Sequence, residues 1–447
     1  MKEPILSVAI LKAEEINFEL YGDYYSSDEK QKINGKFIAR IDESKIKILQ
    51  IDKVINHSEE VLFFYSNLET DSFLVHDVEI GIQFHWQQKE NQRFQGSLKF
   101  IIEDNKITAI NLIPIENYLT SVISSEMSAT SSDELLKAHS IISRGWVLAQ
   151  VEKNKNIQKD NLEYSAKSET EDELIKWYDR EDHKNYDVCA DDHCQRYQGI
   201  TRLFAHNAQN AVAFTRGLVL MYDGKICDTR FSKSCGGVTE SFENVWEPIQ
   251  HEYLKSIVDN KYEPENFDLD LRNEKSAEKW IKGNPPAFCN TSDEKVLKQV
   301  LVSYDRETKD FYRWKVEYEQ EKLAELIKRK SGHDFGKIID LFPLERGFSA
   351  RLLKLKIVGT KKTLIIGKEL EIRRVLSETH LYSSAFSVEK INIVDEIPQR
   401  FIFTGAGWGH GVGLCQIGAA VMSEKGYCFD EILLHYFRGA TIQKYYE

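Results

Sequence analysis

Apolar and polar positions alternate through the first hundred residues, in runs such as KFIARI, SKIKILQI, SFLVHDVEIGIQF and GSLKFII, each closed by polar turn residues. Alternation at period two sends successive side chains to opposite faces of a strand, so the chain from Pro4 to about Ile102 is expected to be β-rich. After Pro114 the period lengthens. IENYLTSVISSEM and SSDELLKAHSIISRGWVLAQVEK carry apolar residues three and four apart (Leu135, Ala138, Ile142, Trp146 and Ala149 in the second), which predicts two amphipathic helices. Ser131 and Glu134 stand at the spacing of a capping box for the second helix.

Beyond it, residues 152–185 are charged and polar, and read as a solvated excursion over the surface. Between 265 and 400 the periods mix: QEKLAELIKRKSG is a helix ending at a glycine, while ARLLKLKIVG and KTLIIG are strands. LCQIGAAVMSEKG has small and apolar residues at helical spacing and stops at Gly426. The whole pattern predicts an α+β protein, with a β-rich region over 1–105 followed by a domain of mixed sheets and packed helices over 106–447. Within that domain, 152–185 is the polar excursion and 265–400 a second mixed lobe.

A chain of 447 residues has ample length for two or more lobes, and no window is long and apolar enough to span a bilayer. The formal net charge of −12 argues against nucleic acid and anionic lipid as partners, since both would be repelled. A neutral polar substrate suits it better. MKEPILSVAILKAEE is a poor secretion signal, with Lys2 offset by Glu3 and only a short apolar stretch. Seven cysteines, odd in number and widely scattered, do not suggest a disulfide framework.

Four stretches are candidates for chemistry. In GAGWGHGVGL, glycine occupies every second position from Gly405 to Gly413. If the run is extended, all of the glycines share one face of bare backbone and Trp408 and His410 lie on the other, so either a packed chain segment or a ligand approaches the peptide groups. In ENYLTSVISSEM, Glu126 ends a helix beside Val122, Ile123 and Met127. It is either a solvated surface group or, where apolar neighbours exclude water, a carboxyl able to hold and give a proton. HKNYDVCADDHC gathers His183, Cys189, His193 and Cys194, nitrogen and sulfur donors suited to a tetrahedral Zn²⁺; the other reading is a free-thiol loop. Four protein ligands leave no open position, so such a zinc is structural. In FSKSCGG, Cys235 at a glycine turn is either a tight-turn residue or a nucleophile with His206, His410 or His435 as base.

These blocks together resemble the SpoIID/LytB family, which includes a sporulation lytic transglycosylase and amidase-enhancer proteins of the bacterial cell wall. The resemblance rests on ENYLTSVISSEM with ELLKAHSIISRGWVLA, DVCADDHCQRYQG, FSKSCGGVTESFENVW with HEYLKSIVD, and GAGWGHGVGLCQIGAA with EILLHYFRGA, in the family's order from about residue 110 to 440. It implies that Glu126 is the catalytic acid, that His183, Cys189, His193 and Cys194 hold structural zinc, and that the protein sits in the cell envelope or is secreted. The implied substrate is the glycan strand of peptidoglycan and the implied partner a cell-wall amidase. The implied activity is cleavage of the MurNAc–GlcNAc bond with a 1,6-anhydro end, or, in the enhancer branch, noncatalytic glycan binding. On this reading Trp408, His410, Gln416, Gly409 and Gly411, with Tyr253 and Tyr436, line the sugar groove. A zinc hydrolase, which would need an open position at the metal, is a third reading.

Overall fold

The computed structural model describes residues 2–26, 32–51, 53–81, 87–128, 130–160 (backbone only from 156), 167–177, 183–191, 193–201, 206–301 and 311–447. The period-two runs form an eleven-stranded sheet whose main path is Val188–Cys189, Ile5–Ala13, Lys106–Pro114, Ser97–Glu103, Val61–Tyr65, Glu15–Ser26, Lys32–Asp42, Lys45–Gln50 and Lys53–Ser58. Ser72–Ile80 pairs with Glu15–Ser26 off this path and carries Gln88–Phe94 beyond it. The alternation buries one face: Ile16, Phe18 and Leu20 point inward from a single strand. Phe18 packs on Phe37, Phe63 and Phe100 with ring centroids 5.3, 5.6 and 5.0 Å away. Asn105 lies in the turn between Ser97–Glu103 and Lys106–Pro114, two strands paired residue by residue. The β-rich region and the helices after it therefore share one hydrophobic core.

The last of these strands runs directly into helix α1 (Ile115–Glu126), which lays Ile115, Tyr118, Leu119, Val122 and Ile123 against that core. Helix α2 (Asp133–Asp160) packs across it. The expected capping box does not form. The Ser131 hydroxyl donates to the Gln299 carbonyl at 2.7 Å, and Glu134 instead accepts from the Phe429 amide at 2.8 Å, so distant chain segments take both partners.

Four consecutive-turn residues on the buried face of α2 are polar: His139, Ser140, Ser143 and Arg144 are fully buried. Arg144 is paid in kind by Glu116 in the first turn of α1, donating from Nε at 3.0 Å and Nη2 at 2.8 Å to the two carboxylate oxygens. Glu116 also accepts from the Gly217 amide at 3.1 Å and from the Tyr446 hydroxyl near the C-terminus. Burial pushes the Glu116 carboxyl upward, but Arg144 and these hydrogen bonds outweigh it and hold it below its ordinary range.

A second core holds the region from about 311 to 406 together. Its five-stranded sheet runs Lys167–Glu169, Glu173–Lys176, Thr363–Gly367, Leu352–Gly359, Ile338–Arg346, and a three-stranded sheet of Arg313–Glu319, Ile397–Ala406 and Phe386–Val394 stands beside it. Helix Gln320–Ser331 buries Leu323 and Ile327 in this core and ends at Gly332 in the left-handed conformation, as its sequence predicts. The charged stretch departs from the expected surface excursion. α2 continues through its first residues, and Glu173–Lys176 pairs in parallel with Thr363–Gly367, burying Leu174 and Ile175. Residues 161–166 and 178–182 of that stretch lie outside the described residues.

Removing one partner of the Glu116–Arg144 pair leaves a buried guanidinium without its counter-charge. Glu116→Gln is expected to lower unfolding free energy by about 3–5 kcal/mol at neutral pH. Because the folded carboxyl titrates below its unfolded value of about 4.3, the wild-type advantage is complete above that pH and shrinks as pH falls further. Urea melts of both proteins between pH 7 and 3 check this; an undiminished gap at the acid end contradicts it.

Candidate active site and metal-binding loop

Glu126 is the last residue of α1 and half-buried, its helix ending at Met127, which is 3% exposed. Its Oε1 accepts the backbone N–H of Arg196 at 3.1 Å. Among the described residues Oε2 has no hydrogen-bond partner, so the protein engages one oxygen of the carboxyl and leaves the other unengaged. The floor beneath is built by Gln416, the first residue of helix Gln416–Glu424. Its Nε2 lies 3.0 Å from His139 Nε2 and 3.9 Å from the Met127 sulfur. As the amide nitrogen donates, His139 Nε2 accepts, and its Nδ1 carries the hydrogen toward Ser143 Oγ at 3.2 Å. Burial pushes the His139 imidazole down to about 3, which keeps it neutral in this role.

The amide that meets Glu126 belongs to the Cys/His loop. Val188–Cys189 adds a short parallel strand to Ile5–Ala13 at the sheet edge, and the chain then doubles back, with the Tyr197 amide on the Ala190 carbonyl at 3.0 Å. Its return limb lies along α1: Tyr118 OH donates to Gln195 at 3.3 Å, the Gln198 amide to Ser121 Oγ at 3.2 Å, and Tyr118 stacks on Tyr197 at 5.0 Å. At the outer end, the donor atoms of His183, Cys189, His193 and Cys194 all lie within 4.8 Å of one another. His183 Nε2 is 3.3 Å from Cys194 Sγ, and His193 Nδ1 is 3.5 Å from the same sulfur and 3.9 Å from Cys189 Sγ. Hydrogen bonding with Cys194 and with both imidazoles outweighs burial and holds the Cys189 thiol well below its ordinary value. A cavity of about 500 Å³ opens beside this cluster, lined by Lys12, Glu79, Tyr186 and Asp191 among others.

The glycine run is not the extended strand that its spacing suggests. It is strand only to Ala406; Gly407, Gly409, Gly411 and Gly413 have φ of +77°, +93°, +79° and +73°, so each turns the chain through left-handed backbone. The bare faces are occupied by the protein itself. A Cβ on Gly405 would stand 2.1 Å from the Trp314 ring, and one on Gly411 would stand 2.4 Å from the Arg351 guanidinium. Arg351 is fully buried and clamps the run by donating to the Gly409 carbonyl at 3.1 and 2.9 Å and to the Cys235 carbonyl at 3.1 Å. Close packing, rather than approach of a ligand, accounts for these glycines.

The other residues expected at a sugar groove divide between surface and interior. Trp408 is partly exposed and sits between Phe311 at 4.7 Å and Tyr382 at 4.6 Å. His410 packs edge-on to Trp246 at 4.5 Å and accepts the Val412 amide at Nδ1; burial, with Arg230 and Arg351 nearby, keeps it neutral. Tyr253 is 7% exposed and accepts the Asp228 amide, while Tyr436 is 1% exposed and donates to Asp259 at 2.7 Å. Gln416, at 2% exposed, supports Met127 from below and faces no solvent. Among the described residues, hydrogen bonds and ring contacts connect neither Trp408 nor His410 to Glu126. Cys235 is fully buried, with its thiol pushed up by burial and another thiol rather than an imidazole as its neighbour, which removes it as a nucleophile. His206 is exposed at a helix start, and His435 is held uncharged by burial, at about 4.

Sequence reasoning missed His139, Arg196 and Gln195, which tie Glu126 to α2 and the loop. The available signal was the polar set His139, Ser140, Ser143 and Arg144 on the inner face of an otherwise apolar helix.

Parts of the chain are similar in sequence to known proteins. Residues 103–222, which hold α1, α2 and the Cys/His loop, match the Stage II sporulation protein family, and residues 240–413 match a domain of unknown function. An uncharacterised protein of Brachyspira hyodysenteriae is 25% identical over 353 residues, 79% of this chain and 73% of that one. Stage II sporulation protein D of Bacillus subtilis is 25% identical over 342 residues, 75% of this chain and 76% of that one. The amidase enhancer of the same organism is 25% identical over 250 residues, 54% of this chain and 33% of that one. Over the residues matched, the chain is similar to proteins of the SpoIID/LytB family.

Gly411→Val sets a branched side chain against Arg351 in backbone that only glycine adopts readily. It is expected to destabilise the fold by about 2–4 kcal/mol, read as a lowered Tm. A folded variant of unchanged Tm would contradict close packing as the reason for this glycine.

Proposed function

We propose that the protein is a peptidoglycan lytic transglycosylase of the cell envelope, cleaving the MurNAc–GlcNAc bond of glycan strands with Glu126 as its acid and base. The carrying observation is the half-buried Glu126 carboxyl at the end of α1, with one oxygen fixed by the Arg196 amide and the other without a hydrogen-bond partner among the described residues. Hydrolytic glycosidases need a second carboxylate to activate water or to form a covalent intermediate. A lytic transglycosylase manages with one, because the nucleophile is the C6 hydroxyl of the same muramic acid, already tethered near the reacting carbon. Glu126 gives its proton to the leaving glycosidic oxygen. As a carboxylate it then takes the C6 hydroxyl proton while the ring closes on C1, leaving a 1,6-anhydro end and a protonated Glu126 ready for the next cycle.

His183, Cys189, His193 and Cys194 would hold zinc. Four donors from the protein fill a tetrahedral shell, so the ion supplies rigidity to the loop that presents the Arg196 amide. The similarity to an amidase enhancer favours a second reading, in which the protein binds glycan and stimulates a cell-wall amidase without cutting.

Glu126→Gln keeps the shape and the Arg196 contact but removes the transferable proton. It is expected to lower release of anhydro-muramic ends from peptide-free glycan strands by about 10²–10⁴-fold, with strand binding kept. Wild-type activity in the variant contradicts the assignment, and stimulation of an amidase unaffected by the substitution supports the enhancer reading. Cys189→Ser acts through the loop and is expected to lower kcat about 10–100-fold with KM little changed; an unchanged kcat in metal-free variant protein contradicts the coupling of loop to carboxyl.

A further inference from the structure

A second set of metal-binding side chains lies in the interior, apart from the Cys/His loop. Cys235, Asp259, Cys289 and Cys415 come from four separate segments and are between 0% and 2% exposed, with their donor atoms all within 4.8 Å of one another. Cys235 Sγ is 3.6 Å from Cys289 Sγ, and Cys415 Sγ accepts the Cys235 amide at 3.3 Å. Asp259 Oδ2 accepts the Cys289 amide at 3.0 Å and Oδ1 the Tyr436 hydroxyl at 2.7 Å. Gly418 makes room for the carboxylate: a Cβ there would stand 2.7 and 2.8 Å from its two oxygens.

Desolvation of an isolated charge is expensive, and burial pushes the Asp259 carboxyl well above its ordinary range. Among the described residues it has no lysine or arginine within ion-pair distance. His435 Nε2, 4.0 Å away, is itself buried without a hydrogen-bond partner. Among the described residues Arg313 is a cation with no acidic partner: it donates to the carbonyls of Gly236, Trp280, Gly283 and Tyr312, the first of them next to Cys235 in the chain. Three thiols and a carboxyl gathered from four segments, with donor atoms within 4.8 Å of one another, fit a centre that closes around a divalent cation.

We propose that Cys235, Asp259, Cys289 and Cys415 bind one thiophilic divalent ion of the zinc class in a closed, four-coordinate structural site. At the roughly 2.3 Å of a zinc–sulfur bond, tetrahedral sulfurs stand about 3.8 Å apart, close to the Cys235–Cys289 separation and too tight for a multinuclear iron–sulfur cluster. On binding, the three thiols and the Asp259 carboxyl release their protons to solvent, and three thiolates and a carboxylate surround the ion. The site pins Cys415, and with it the start of the helix whose Gln416 supports Met127 next to Glu126. It is independent of the loop zinc.

The test is native mass spectrometry of the full-length chain purified from zinc-supplemented cells. Wild type is expected to carry two zinc ions and the double variant H183A/C189S, altered only in the outer loop, to keep one. Adding Cys289→Ser or Asp259→Asn to that variant removes the last ion. Cobalt exchanged into H183A/C189S is expected to give a thiolate charge-transfer band, a readout that does not depend on core variants folding. One ion in wild type that survives in H183A/C189S would sink the loop zinc and support the interior site. An H183A/C189S protein that binds neither zinc nor cobalt, or a Cys235–Cys289 disulfide in non-reducing peptide maps, overturns the proposal.

Discussion

Glu116 and Arg144 meet through two parallel hydrogen bonds in a region from which water is excluded, and the course of α1 follows from that meeting. The pair joins the first turn of α1 to the middle of α2, while Gly217 and Tyr446 draw in two further parts of the chain. Glu126 lies ten residues further along the same helix, about 15 Å away at 1.5 Å per residue. A tilt of about 4° at the pinned end would move its carboxyl by roughly 1 Å, a displacement able to lower a rate by about 100-fold. The buried charges thus act as a pivot for a group they never touch.

Two supports then fix the free end. The Arg196 amide arrives from the Cys/His loop, itself stitched to the sheet edge and to α1, and Gln416 arrives from below through Met127 and His139. Each comes from a different part of the sequence, so the seat of one carboxyl depends on the whole domain being folded. The glycine run serves the same end. By letting Trp314, Arg351 and the turn around Cys235 press against the backbone, it sets the chain on course into the helix that begins at Gln416.

Local features were legible in the sequence. The period-two runs, α1, the helix closed by Gly332 and the four donors of the Cys/His loop lie within short windows, where spacing alone carries the information. What was not legible depends on partners far along the chain. Ser131 fails as a cap because the helix begins at Asp133, one residue later than the box requires, with the Ser131 hydroxyl drawn to the Gln299 carbonyl, and Leu174 is buried because a strand nearly two hundred residues later pairs with it. Alternating glycines read equally as strand or as serial left-handed turns, since φ leaves no trace in composition. Gln416 looks like a surface polar group until the fold buries it, and the interior thiols cannot be grouped without that fold.

The central claim is that the carboxyl of Glu126 drives an internal displacement on the sugar and not attack by water. Digestion of peptide-free glycan strands in H₂¹⁸O, followed by mass spectrometry of the new muramic ends, separates the two directly. The account predicts ends lighter than a reducing sugar by one water and free of ¹⁸O; reducing ends carrying ¹⁸O, or strands left intact by folded, zinc-loaded protein, would contradict it.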